Sequence, residues 1–169
     1  CGLLLRRVLF RSTAPSRFDK NLVRGKQTAL SAGTHYDIIS REMPLFSVMA
    51  MPAEGVKTDT LIAQLRQEIK DIADNGVSEE ELQRVKTQAA VSEIYAKDSM
   101  SSQASMMGRL EARGFQYTDE QEIHRRLQAV SAQEVQAAAR MLTDERMSTV
   151  IIEPQKPAAA PSKKAAKRR

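Results

Sequence analysis

The chain has 169 residues, of which 41% are hydrophobic and 28% charged, the balance of one globular domain. Cys1 is its single cysteine, which excludes an internal disulfide and a cysteine-based metal centre, and no stretch approaches the ~20 apolar residues of a membrane span. The formal net charge of +5 invites a nucleic-acid partner, but three of the 26 Lys and Arg lie in residues 1–12 and six in residues 154–169; the body between holds 17 against 21 Asp and Glu, an acidic surface that argues against specific nucleic-acid binding.

Residues 1–12 read as a non-native leader, because Arg6-Arg7-Val8-Leu9-Phe10-Arg11-Ser12 resembles the translation of a sequencing-library adapter. Patterning starts at Phe18, Leu22 and Val23, the apolar side of a helix that ends near Gly25 and whose beginning is expected to be missing. From Thr28 to Ile38 the chain alternates, with Leu30, Ala32, Thr34, Tyr36 and Ile38 on one face, which predicts a half-buried strand. After a polar turn at residues 40–43, a second strand over Leu45 to Met51 places Phe46, Val48 and Ala50 on one side. The short connection predicts antiparallel pairing.

A helix follows from Thr58, with Leu61, Leu65, Ile69 and Ile72 inward, and Asn75-Gly76 stops it. Ser78 with Glu81, and Val77 set to staple onto Leu82, announce the next helix, which runs to about Lys97 with Val85, Ala89 and Ala96 on its apolar side. A break at Asp98 to Ser102 precedes a helix through Met107 and Leu110 that Gly114 closes. Thr118 with Gln121 predicts a cap for a helix carrying Ile123 and Leu127, and Ser131 with Glu134 repeats the device for the stripe Val135, Ala138, Ala139 and Leu142. Thr149 to Ile152 reads as a final returning strand, and residues 154–169 as a disordered basic tail of Pro, Ala, Lys and Arg. Two strands, a helical block and a late strand make an α+β fold, an antiparallel sheet with helices layered on one face, expected to be incomplete.

Few residues could carry chemistry. Neither His-x-x-Glu-His nor His-Glu-x-x-His occurs. His124 sits in Glu122-Ile123-His124-Arg125-Arg126, whose basic neighbours should repel a dication, so it reads as an exposed helix residue; His35 and Asp37 share a strand face but supply two ligands at most, short of a zinc set. The serines around Ser99 to Ser105 have no Gly-x-Ser-x-Gly turn, and capping explains them better. No Gly-rich phosphate loop is present, and Glu79 to Glu81 occupy a first helical turn, where the helix dipole favours negative charge.

A series of phrases carries the reading further. Leu22-Val23-Arg24 followed by Ala29 to Asp37 resembles the helix-to-strand passage of the C-terminal homologous domain of insulinase/pitrilysin zinc metallopeptidases. Gly76 to Lys86 looks like that family's "GVTEEELxRAK", Ile94-Tyr95-Ala96-Lys97-Asp98-Ser99 is similar to a stretch found in a bacterial branch, and Val130 to Arg140 matches "VTAEDVQAAAR". Val150 to Pro154 resembles the closing strand, so the resemblance runs in order from Phe18 to Pro154. It implies a non-metal-binding half that completes a peptide-enclosing chamber. Zinc would lie only in a partner half or companion subunit and none on this chain, and the chain alone should be inactive. The family positions substrate with an Arg and a Tyr. Arg24 falls at the Arg position, though a solvated arginine favoured at a helix end accounts for it equally, and Ser31 stands where the Tyr is expected, which puts alignment by a phenol in doubt. An interaction module whose basic tail attracts anionic partners is the alternative. Peptide substrate and compartment, periplasmic or cytoplasmic, stay open.

Overall fold

The computed structural model describes residues 16–37, 39–40 and 44–153, and its architecture is α+β. A helical turn at Arg17 and Phe18 widens into a π-helix, Asp19–Gly25, which leads into β1, Ala29–His35. β2, Ser47–Pro52, pairs antiparallel with β1, from Ala29 opposite Pro52 to His35 opposite Ser47. Helices α1 (Thr58–Asn75), α2 (Glu79–Lys97), α3 (Met100–Glu111), α4 (Asp119–Ala129) and α5 (Ala132–Arg140) follow, then a 3-10 turn at Asp144–Arg146.

One core joins these pieces. Phe18 and Leu22 from the N-terminal helical segment, Ala29 from β1, Leu61, Ile69 and Ile72 from α1, Leu82 and Val85 from α2, Leu127 from α4, and Val130, Val135 and Ala139 at α5 all pack together. Phe18 and Leu22 are completely buried, and full burial of such a side chain stabilises a fold by roughly 1.5–3 kcal/mol. The N-terminal helical segment is therefore a structural part of the domain.

The helix signals behave unequally. Gly76 ends α1 at φ 74° and ψ −159°, a positive-φ conformation that glycine takes without a Cβ penalty. At Ser131 the reciprocal capping box forms in full: Ser131 Oγ accepts from the Glu134 amide, and Glu134 accepts from the Ser131 amide at 2.9 Å. At Ser78 only half of it forms. Ser78 Oγ accepts from the Glu81 amide at 3.1 Å, but the Glu81 carboxylate is occupied by Arg17, which donates to it from Nε at 2.9 Å and Nη2 at 2.8 Å. Thr118 does not cap α4, because its backbone is already helical (φ −68°, ψ −20°); Asp119 accepts from the Gln116 amide instead, at 2.9 Å.

Three strand expectations also change. A bulge between Ala29 and Ser31 slips the alternation by one residue, so Ala29 is buried and Leu30 is 62% exposed, while Thr34 and Tyr36 point inward as expected. Phe46, just before β2, and Val48 on it pack against the core but Ala50 is exposed, and Ile38 and residues 41–43 lie outside the described residues. Residues 149–152 form no strand: a strand needs a partner ladder, none lies beside them among the described residues, and Val150 and Ile152 are 84% and 91% exposed. Ala96, placed on the apolar side of α2 by periodicity, is exposed too.

Arg17 binds the domain at one point. Besides Glu81 it donates to Asp71 Oδ2 at 2.8 Å and to the Gly76 carbonyl at 3.2 Å, and so ties the N-terminal helical turn to the end of α1 and the start of α2. The hydrogen bond to Glu81, opposed by burial, raises its already high pKa. Arg17→Ala strands two partly buried carboxylates and should cost about 2 kcal/mol in urea unfolding, with Arg17→Lys recovering less than half because an ammonium cannot fork.

Candidate functional site

Arg24 and Ser31 lie on consecutive elements at the N-terminal end of the domain. The helix before β1 is π-helical, so residues five apart stack: the Lys26 amide donates to the Asn21 carbonyl at 2.8 Å, and Arg24 Nε lies 2.8 Å from Asp19 Oδ2. That ion pair is not an aligned hydrogen bond, since Asp19 Oδ2 is buried and has no hydrogen-bond donor among the described residues. Arg24 stays 71% exposed, held loosely at the end of the helix. Gly25 permits this geometry, because a Cβ there would come within 2.9 Å of the Lys20 carbonyl oxygen. Ser31 is exposed at the bulge of β1, opposite Met51.

The π-helix is anchored from below. Asn21 donates to Glu68 Oε2 at 2.6 Å, and Thr28 donates to Gln64 Oε1 at 2.5 Å, both acceptors on α1. Glu68 is only 8% exposed. None of these partners was apparent from periodicity; the only signal was a glutamate on the apolar side of α1, beside Ile69.

The other candidates separate. His35 is exposed, whereas Asp37 is engaged by Arg113, which donates to its Oδ2 at 2.5 Å and to the Ile39 carbonyl at 3.3 Å, with Arg109 3.9 Å from Oδ1. Desolvation works against the Asp37 charge, but the Arg113 hydrogen bond and the Ile39 amide together hold its pKa below the usual value. Asp37 is a tether between the end of β1 and the end of α3, not half of a ligand pair. Ser99 caps α3 by accepting from the Ser102 amide at 3.2 Å. A cleft of about 400 Å³ between α1 and α5 is lined by Arg66, Lys70 and Arg140, but Arg66 pairs with Asp144, Lys70 with Asp74, and Arg140 donates to the Ala73 carbonyl. It offers no convergent free charge.

His124 is where the structure departs most from its sequence context. Its Nδ1 lies 3.0 Å from Glu93 Oε2 on α2, and its Nε2 lies 3.8 Å from Glu120 Oε1, one turn back on α4. Arg125 and Arg126 both turn onto Glu122, at 2.7–2.8 Å, and their hydrogen bonds hold that carboxyl down to about 2.

Residues 3–89 match the model of the peptidase M16 inactive domain, slightly more than half of the sequence. The chain belongs to that family. Its fold is similar to the inactive peptidase domain of a candidate zinc protease from Bordetella parapertussis (TM-score 0.77, 19% identity, 95% of this chain and 85% of that one). It is also similar to a candidate zinc protease from Bordetella pertussis Tohama I (TM-score 0.66, 18% identity, 82% and 75%) and to a protease from Helicobacter pylori (TM-score 0.73, 15% identity). The match takes in 83% of this chain but 34% of the Helicobacter protein, so this chain spans about a third of that protease. No curated protein matches the sequence. Among the described residues no helix is long and apolar enough to cross a membrane.

Two outcomes test this geometry. Gly25→Ala should destabilise the domain by about 1–3 kcal/mol in chemical unfolding, as overpacking against backbone does. For Asp37, a depressed folded pKa means that its tether contributes stability above the unfolded value near 3.8 and loses it as pH falls through the lower folded value. Asp37→Asn should therefore flatten the acid limb of the stability-versus-pH curve and leave the limb above pH ~6 parallel to wild type.

Proposed function

We propose that this chain is the C-terminal, non-metal-binding half of an insulinase-family zinc metalloendopeptidase, which closes a peptide-enclosing chamber opposite a zinc-bearing half. Its membership of the inactive peptidase-domain family is the observation that carries this reading. The catalytic zinc then belongs to the partner half, on the same polypeptide or a companion subunit, and peptide is the substrate class. In this reading residues 13–153 are the domain body and residues 154–169 a tail outside the chamber; residues 1–12, read from the sequence as a leader, fall largely within the family match over residues 3–89, and both terminal segments lie outside the described residues.

Arg24 is the substrate-positioning residue in this scheme. An exposed guanidinium, loosely held by one carboxylate, can exchange that partner for a peptide carbonyl or C-terminal carboxylate without loss of core packing. Ser31 offers a hydroxyl too short to replace the phenol of the family pattern, so peptide alignment rests on Arg24. The sheet surface beside them carries Leu30, Met49 and Met51, each more than half exposed, an apolar patch suited to a partner half.

The chain alone should hydrolyse no peptide, and mixing or fusing it with its zinc-bearing half should give chelator-sensitive cleavage of a quenched fluorescent peptide. In that assembly Arg24→Ala should lower kcat/KM about tenfold, a loss of ~1.4 kcal/mol of transition-state binding, with Ser31→Ala close to wild type. Thermal unfolding of the free Arg24→Ala chain should stay close to wild type, because Arg24 is 71% exposed and makes no aligned hydrogen bond to Asp19. Full activity in the Arg24→Ala assembly would remove Arg24 from substrate positioning.

A further inference from the structure

The chain from Asp19 to Thr28 departs from regular backbone twice, on both sides of Arg24. Asp19–Gly25 is π-helical, and Gln27 sits at φ 54°, in the left-handed region that residues other than glycine rarely adopt. Departures of this kind persist only where surrounding contacts enforce them, and they concentrate at functional sites. The hydrogen bonds follow the distortion: the Lys26 amide donates five residues back to the Asn21 carbonyl at 2.8 Å, and the Thr28 amide donates six residues back to the Leu22 carbonyl at 2.9 Å.

The distortion decides where Arg24 points. On an α-helix, at about 100° per residue, positions five apart lie about 140° apart around the axis. The π-turn stacks them instead, which sets the Arg24 guanidinium over Asp19, with Nε 2.8 Å from Oδ2. An α-helical form of the same residues would swing Arg24 away from Asp19.

The enforcing contacts come from α1. Gln64, Glu68 and Asp71 share one side of that helix, at spacings of four and three, and grip the N-terminal segment in the opposite order. Asp71 accepts from Arg17 at 2.8 Å, Glu68 from Asn21 at 2.6 Å, and Gln64 from the Thr28 hydroxyl at 2.5 Å. Asn21 is the residue whose carbonyl closes the π-turn, and Thr28 is the residue whose amide closes the loop beyond Gln27. With both ends fixed to one face of α1, the chain between them must take up the extra residue of the π-turn. Glu68 is 8% exposed, so bulk water does not replace Asn21 as its donor.

We propose that Gln64 and Glu68 are positioning residues of the substrate site: acting through Thr28 and Asn21, they hold the π-turn and so direct the Arg24 guanidinium to a bound peptide. The proposal rests on the reading of Arg24 as the substrate contact. Glu68 is buried beneath the turn and acts only through it. Gln64 is half-buried, and its removal strands no charge, so Gln64→Ala and Thr28→Val probe the role without opening the core.

In the free full chain, NOEs between the Arg24 and Asp19 side chains and slow exchange of the Lys26 and Thr28 amides are expected. Gln64→Ala, Thr28→Val and Glu68→Ala should each weaken those NOEs and speed exchange of both amides by about tenfold or more, with the Val85 amide of α2 unchanged. Glu68→Gln, whose amide oxygen still accepts from Asn21, should stay near the parent. In the assembled enzyme, Gln64→Ala and Thr28→Val should lower kcat/KM for a quenched fluorescent peptide about threefold to fivefold, and should cause no further loss in an Arg24→Ala background. Intact NOEs and amide exchange in all three variants, or equal losses of kcat/KM with and without Arg24, would overturn the assignment. An assembly that cleaves nothing, or an Arg24→Ala assembly as active as wild type, removes the substrate reading and the positioning role with it. Equal losses in both backgrounds of an active, Arg24-dependent assembly remove the positioning role alone.

Discussion

The domain depends on the guanidinium of Arg17. It reaches Glu81, Asp71 and the Gly76 carbonyl together, and so fixes the N-terminal helical turn against the junction of α1 and α2. Arg17 and Glu81 are both mostly withdrawn from water, where a forked, two-bond arrangement is worth more than a surface ion pair and where loss of either partner leaves a charge uncompensated. Phe18 follows directly, with its side chain fully buried. The polar clamp and the apolar anchor are adjacent in sequence, so one short segment sets both the charge balance and the packing of the helical block.

That clamp explains why two identical-looking helix starts behave differently. Ser78 and Ser131 each stand three residues before a glutamate, and both accept the expected amide. Glu134 turns back on its own cap, accepting from the Ser131 amide and hydroxyl, while Lys86 acts on its charge without a hydrogen bond to it among the described residues. Glu81 is taken by a guanidinium 64 positions earlier in the chain, which satisfies more of its lone pairs than one backbone amide can. A local rule thus holds until a long-range charge offers a better partner.

The same contest governs His124. In sequence it is surrounded by arginines; in space those arginines are absorbed by Glu122, and α2 contributes Glu93 to the ring. At the other end of the domain, Asp37 was available as a ligand in the linear pattern and is consumed by Arg113 in the fold. Which charged groups are free for a ligand is decided by which have already found each other.

The sequence by itself determined the helix starts at Ser78 and Ser131, the stop at Gly76, the inward stripe of α1, the antiparallel pairing of the strands and the α+β class, because these follow from residue spacing and from conformations few residues can adopt; the break read over Asp98 to Ser102 is shorter in the fold, where Ser99 already caps α3. Family phrases in order then pointed to a peptidase domain, and the match over residues 3–89 established it. Tertiary structure alone decided the π-helix beneath Arg24, the bulge that turns Leu30 outward and Ala29 inward, the absence of a strand at residues 149–152, and the helical backbone that deprives Thr118 of its cap. It also decided the partners of Arg17, Asp37, Glu68 and His124. Spacing along a chain fixes which residues share a face, but charge pairing and strand completion depend on what another segment, tens of residues away, brings against that face.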